Sequence, residues 1–519
     1  MTRYAPNGAA AAAHHLASAA GLAVLERGGN AVDSAIAAAA VMTVVSPHMC
    51  GLGGDLFALV VRRDQEPVAL NASGRAGSGA DAARLRGLGL RQMPFQHDVR
   101  GVTVPGCVDG LVTLHERFGS LELRELLLPA VRLAESGFPV PVTLALAAGD
   151  LDEGERAAAF GSEARLTAGR RLRLPGVARA LAAVAQSGRA GFYQGEAGAE
   201  LLTLGGGEFT AEDLRTSQAD WVGPLQLTAF GSTLWTVPPN SQGYLTLAGA
   251  WIAERLRLPA DPADERWAFL LVEAARQAAY DRPAVLHEHA DGQALIAPAR
   301  LEPRAGSVGD DARRGLADVY QAGGTTHVCT VDRERTGVSL TLSVAMDFGS
   351  RLVLPQAGIF LHNRGMAFSL EPGHPAEYAP LRRPPHTLSP LAATGSSGEL
   401  RAVLGTMGGD AQPHILLQLL VRLLAAGQPP GDAVAAPRWI LSRESSNSFD
   451  VWQDESLPLV RLERDAPQAW ASGLRQRGYH ATGPGDGVFG HAQVIQVTDD
   501  GMLAGAADPR AVDGAFAGC

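Results

Sequence analysis

The sequence has little cysteine, no long apolar run and no excess of basic charge. Cys50, Cys107, Cys329 and Cys519 are its only four cysteines and form no CxxC pair. Such scattered thiols predict neither a disulfide framework nor a zinc site. No other cluster of metal-ligand residues is visible, so no metal and no cofactor are expected. The longest apolar run, residues 35–45, is too short to span a bilayer. His14, His15 and Ser18 interrupt the Ala-rich start, and no charged n-region leads into an unbroken apolar core. The sequence therefore predicts no secretory leader and a cytoplasmic location. The net charge of -10 is spread along the chain. That argues against nucleic acid and against an anionic membrane as partners.

What is present is ordinary for a folded protein: 519 residues, 46% hydrophobic and 19% charged. This length predicts two or more substructures. Up to residue 145, helix-like and strand-like segments alternate. Asn30 is a cap candidate for a helix that Pro47 stops. "GLGGDLFALVVRR" reads as a glycine turn into a short apolar strand, and "SLELRELLLPAVRLAESGF" as a helix with a Gly end. Residues 146–300 read as mostly helical, and 301–324 as an exposed linker. After 325, short β-type runs appear, and one amphipathic helix with Ile415, Leu416, Leu419, Leu420, Leu423 and Leu424 on one face. The whole suggests strands stacked between helices, in layers.

"QAGGTTHVCTVDRERTGVSLTLSVAMDFGS" (321–350) carries the chemistry. "TTHVCTVD" and "VSLTLSV" flank a short turn ending in Gly337, a hairpin signal. If Asp332 faces Val338, Thr325 falls opposite Ala345, with Ser343 as a diagonal neighbour on the same face. A cut between Gly324 and Thr325 would make Thr325 a new N-terminus. Its α-amine, with a pKa of about 7.7–8.0, would be a competent base at neutral pH, and Ser343 could orient that amine. The plain alternative is a loop ending where a strand begins. His327 and Cys329 share the Thr325 face. His327 reads as core filling, with a second base as the other reading. "GLGGDL" lacks the GxGxxG spacing and a following Lys-Ser/Thr, so phosphate binding is rejected. Asp508 and Arg510 are expected to form a structural ion pair.

Several segments together resemble the γ-glutamyltranspeptidase family of N-terminal-nucleophile hydrolases. They are "ERGGNAVDSAIAAAAVMTVVSPHMCGLGGDLFALVV", "VPGCVDGLVTLHERFGSLELRELLLPAVRLAESGF", "PPNSQGYLTL", "TTHVCTVD", "RPPHTLSP", "GTMGGDAQP" and "GAADPRAVDG", in the family's order. "NASGRAG", "HNRGMAFSLEPGHP" and "MGGDAQP" look like its amidohydrolase-like branch. The resemblance implies an α+β fold, a four-layer αββα sandwich. It also implies a proenzyme that cuts itself into a large chain (1–324) and a small chain (325–519), which stay associated. Homo-oligomers are compatible with it. Residue by residue, Thr325 matches the nucleophile and Ser343 the hydroxyl residue beside its amine. Gly408 and Gly409 match the oxyanion-hole pair, with Asp410 as a candidate helix cap. Arg75 matches the arginine that holds the substrate carboxylate.

The sequence departs from the glutathione-acting pattern on the substrate side. Ala367 stands where an acidic residue grips the α-amino group, Ala345 where an asparagine is usual, and His386-Thr387 where a serine pair is usual. Losing a charge-assisted bond costs about 1.5–3 kcal/mol, which disfavours γ-glutamyl groups. Arg364 and His386 are expected to favour a more anionic amide. The expected activity is hydrolysis of a small carboxylate-bearing amide through an acyl-enzyme. The alternatives are a γ-glutamyl hydrolase or transferase, and an uncut, inactive scaffold.

Overall fold

The computed structural model describes residues 1–161, 165–312, 324–442, 459–483 and 489–519. Two seven-stranded antiparallel sheets organise the chain. In the first, the strand order is Ala515–Gly518, Ala9–Ala12, Gly324–Val331, Gly337–Ala345, Asp55–Val61, Val68–Ala72, Asp220–Val222. In the second, it is Arg3–Ala5, Leu503–Ala507, Ala492–Val497, Leu400–Thr406, Leu391–Thr394, Ser232–Thr236, Leu225–Ala229. Each sheet takes strands from both sides of the Gly324–Thr325 bond. The two halves are therefore interleaved rather than being separate domains.

Strand alternation sorts the apolar side chains into three clusters. Leu56, Ala58 and Val60 of one strand join Val328, Leu340 and Leu342 against the Ala31–Val45 helix. Phe57, Leu59 and Val61 point the other way and meet Val403 and Ile495 of the second sheet. Leu391, Leu404 and Val494 on that sheet's other face pack on the helices Tyr244–Arg255, Glu265–Ala279 and Gln412–Leu420. Period-two geometry gives a strand two apolar faces only when both are covered. All fifteen residues of the Ala31–Val45 helix are buried. Its Asn30 cap forms the expected capping box, accepting from the Val32 and Asp33 N–H groups while Asp33 accepts from the Asn30 N–H. Among the described residues no helix is long and apolar enough to cross a membrane.

The 146–300 region is mostly helical, as expected, and also carries a hairpin, Leu225–Ala229 with Ser232–Thr236, which joins the second sheet through a turn with Phe230 and Gly231 at positive φ. Three local expectations need correction. The helix Pro298–Gly306 runs into the expected linker, and residues 313–323 of that linker lie outside the described residues. The helix after the GTMGGDAQP turn is not amphipathic. His414, Gln418 and Arg422 are buried along with the leucines, and Gln418 Nε2 donates to the Trp439 carbonyl at 2.9 Å. Asp410 caps no helix, because the residue at the helix cap position is Ala411, with no side-chain cap bond.

Candidate active site

The hairpin forms as expected, with a different register. Thr330 pairs with Val338 and Thr326 with Leu342, while Gly324 pairs with Ala345. A bulge between Gly324 and Thr326 takes up the difference and leaves Thr325 unpaired. By the count of the regular ladder, Ser343 is directly across from Thr325 rather than diagonal to it. The Thr325 hydroxyl donates to Ser343 Oγ at 3.1 Å. Ser343 Oγ in turn donates to the Gly324 carbonyl oxygen at 2.5 Å and accepts from the Ala345 N–H at 2.8 Å. One serine oxygen thus touches the hydroxyl and the carbonyl on either side of the Gly324–Thr325 bond. Thr325 and Ser343 are each 1% exposed.

Behind Ser343 lies Asp55, its partner on the next strand. The GLGGDL turn brings the backbones together here: a Cβ on Gly54 would lie 2.3 Å from the Ser343 carbonyl oxygen. Asp55 accepts from the Gly74 N–H at 2.9 Å and from His386 Nε2 at 3.1 Å, and His362 Nδ1 is 3.5 Å away. Burial alone would raise the Asp55 pKa. The facing His362, the His386 hydrogen bond and the Gly74 N–H overcome it and hold the carboxyl below its usual range. His386 was expected to face substrate. Instead its Nδ1 accepts from the Leu388 N–H and its Nε2 serves Asp55. The ring is fully buried, and burial pushes its pKa down to about 3.

The His362–Thr387 side of the site is tied to this network. His362 Nδ1 accepts from the Arg364 N–H at 3.2 Å, and Arg364 Nη1 donates to Thr387 Oγ1 at 3.2 Å. Thr387 and Ala367 line a cavity of about 830 Å³, with Met93, Phe95, Arg282 and Met366. Gln242 Nε2 bridges the Thr387 carbonyl and the Gly409 carbonyl, at 3.0 and 3.1 Å. Arg282 pairs with Asp410 at 2.9 Å, beside the glycine pair.

Gly408 and Gly409 adopt φ of 138° and 55°, which glycine tolerates and other residues resist. Among the described residues, neither N–H donates to a partner. The glycines end the strand Leu400–Thr406, which packs on the Thr325 strand. Cys329 Sγ donates to the Val403 carbonyl at 3.4 Å, and a Cβ on Gly405 would lie 2.2 Å from His327 Cε1. His327 itself is core. Its nitrogens meet Thr341 Oγ1 at 2.9 Å and Cys329 Sγ at 3.2 Å, and burial pushes its pKa down to about 3.

Arg75 stands apart from this assembly. Its guanidinium donates to Asp220 at 2.6 Å, which Arg383 also holds at 2.8 Å. It does not line the cavity. Asp508 and Arg510 form the expected ion pair, at 2.9 Å, with Arg438 on the other carboxylate oxygen. The sequence does not single out Asp55, Gln242 or Arg282, and it offers Asp410 as a helix cap rather than as the partner of Arg282. Asp55 and Gln242 sit inside motifs that were recognised, "GLGGDL" and "PPNSQGYLTL"; Arg282 has no signal of its own.

Residues 17–518 match the family model described as gamma-glutamyltranspeptidase. The oxamate amidohydrolase proenzyme of Klebsiella pneumoniae is 37% identical over 99% of this chain and 98% of its own length. The glutathione hydrolase proenzyme of Escherichia coli is 27% identical over 99% of this chain and 92% of its own. The crystal structure of a cephalosporin acylase from Bacillus halodurans matches with a TM-score of 0.90 at 31% identity, covering 100% of this chain and 97% of that one. With matches that run its whole length, the chain belongs to the gamma-glutamyltranspeptidase family, among amide-cleaving enzymes made as proenzymes.

Proposed function

We propose that the protein is a self-processing amidohydrolase in which Thr325 becomes the N-terminal nucleophile and hydrolyses a small carboxylate-bearing amide. The observation that carries this reading is the Ser343 hydroxyl between the Thr325 hydroxyl and the Gly324 carbonyl. In processing, Thr325 Oγ1 attacks the Gly324 carbonyl carbon. The carbonyl oxygen gains negative charge, and the Ser343 O–H already donates to it. The C–N bond breaks as its nitrogen takes up the hydroxyl proton, leaving an ester. Water cleaves the ester, giving a Gly324 carboxylate and a free Thr325 amine.

In turnover, that amine accepts the proton of the Thr325 hydroxyl as it attacks the substrate amide. The N–H groups of Gly408 and Gly409 stabilise the oxyanion, each such donor worth about 3–4 kcal/mol. The departing amine takes the proton, and water then releases the acid. The order helix, sheet, sheet, helix implied by the three apolar clusters supports a four-layer αββα sandwich for this chain. The Klebsiella relative is named for oxamate, the simplest amide with an adjoining carboxylate. γ-Glutamyl substrates would need an acidic partner for the α-ammonium. Ala367 offers none, and among the described residues Glu371 is the one acid lining the cavity.

The test is a pair of variants. Thr325→Ala abolishes both processing and oxamate hydrolysis, and Thr325→Ser, which keeps a hydroxyl and an amine, restores both. Turnover by Thr325→Ala would overturn the proposal.

A further inference from the structure

We infer that Arg364, supported by Thr387, is the anchor for the substrate carboxylate in this chain, in place of Arg75. The inference rests on the amidohydrolase reading and names the substrate-binding cation of that site. Arg364 is 2% exposed, and among the described residues its side chain hydrogen-bonds one neutral hydroxyl, Thr387 Oγ1, while its Nε has no hydrogen-bond partner. Among the described residues no carboxylate lies within ion-pair distance of it. The two acids that act on it through space are engaged elsewhere: Asp55 by His386 and the Gly74 N–H, Asp410 by Arg282.

A guanidinium cannot shed its charge the way a buried lysine or histidine does. Burial, against the pull of Asp55 and Asp410, brings the Arg364 pKa only down to about 10, so it stays charged at neutral pH. Burying an uncompensated charge is costly, and that cost is recovered when an anion arrives. The planar fork matches a carboxylate, with Nε and an Nη side by side. Arg364 lies behind the cavity wall rather than on it; Thr387 lines the cavity, so an anion entering there meets the hydroxyl that Arg364 holds. Of the arginines on the cavity wall, Arg86 pairs with Glu377 and Arg282 with Asp410, so the wall adds only Arg91 against Glu371 and the anion's partner is Arg364. Arg75 cannot serve equally, because Asp220 already takes its guanidinium.

The test compares oxamate with oxamide, its uncharged isostere, on wild type, Arg364→Gln and Arg75→Gln. Arg364→Gln is expected to raise KM for oxamate at least 100-fold, to change kcat/KM for oxamide less than threefold, and to be processed normally. With no ligand its Tm is expected to equal or exceed that of wild type, since a buried unpaired charge is gone. A fall in Tm with equal losses on both amides would mean that Arg364 is structural and would overturn the inference. So would a selective loss of oxamate turnover in Arg75→Gln. Titration calorimetry with oxalate, which has no amide to cleave, reads the anion site independently of Thr325. At least 30-fold weaker binding to Arg364→Gln supports the anchor, and equal binding overturns it even if the nucleophile is assigned correctly.

Discussion

Ser343 uses its hydroxyl three times, accepting from Thr325 and the Ala345 N–H and donating to the Gly324 carbonyl. That fills the capacity of a serine oxygen, and two of the three groups, the Thr325 hydroxyl and the Gly324 carbonyl, flank the proposed cleavage site. Ser343→Ala removes the donor to the developing oxyanion, so processing is expected to slow by about 100- to 1,000-fold. The lifetime of the full-length band on denaturing gels measures it. Ser343→Thr keeps the hydroxyl and is expected to process within about tenfold of wild type, a difference below ~1.4 kcal/mol. Thr325 and Ser343 were legible in the sequence because a hairpin puts residues near each other by counting. Arg364 was legible as a cation, but not as one without a counterion, because only folding shows that Asp55 and Asp410 are committed elsewhere. For Arg75 the motif was legible, while its partner Asp220, 145 residues away, shows only in the fold.

At the scale of elements, the glycine pair depends on what holds its loop. Arg282 pairs with Asp410, and Gln242 bridges the Gly409 and Thr387 carbonyls. Asp410→Ala leaves a buried arginine without this carboxylate, and breaking such a pair costs about 3–5 kcal/mol. The expected result is a lower Tm together with a reduced kcat, since the N–H groups of Gly408 and Gly409 lose their fixed position. A stable Asp410→Ala enzyme with unchanged kcat would show that the loop holds itself. The Asn30-capped helix, the Gly337 hairpin and the strand 55–61 could be read from local chemistry. The bulge at Thr325 could not, because counting along a hairpin assumes an unbroken ladder, and this one shifts register between Gly324 and Thr326. Nor could the strand Ala9–Ala12. Alanine favours helix, yet these four alanines are fully buried beside the Thr325 strand.

At the scale of the molecule, the segments on either side of the Gly324–Thr325 bond share both sheets. The large and small chains are therefore expected to co-elute on native size-exclusion chromatography and to separate only in denaturant. Elution of either chain alone would contradict the interleaved sheets. Acid sensitivity is also built in. Burial is the main cause holding His48, His327, His386 and His414 down to about 3 and His14 down to about 4. Unfolded imidazoles titrate near 6.5. Between about pH 6.5 and 3 the unfolded chain binds more protons, so stability falls as pH falls, by up to about 1.4 kcal/mol per pH unit for each imidazole. Thermal melts from pH 7 to 5 are expected to show this decline, and His327→Asn to reduce its slope by about one proton. The most direct measurement is N-terminal sequencing and intact mass of the catalytically active protein. Two chains, the second beginning at Thr325, are the expected result. An active enzyme whose Gly324–Thr325 bond is intact would contradict Thr325 as an N-terminal nucleophile.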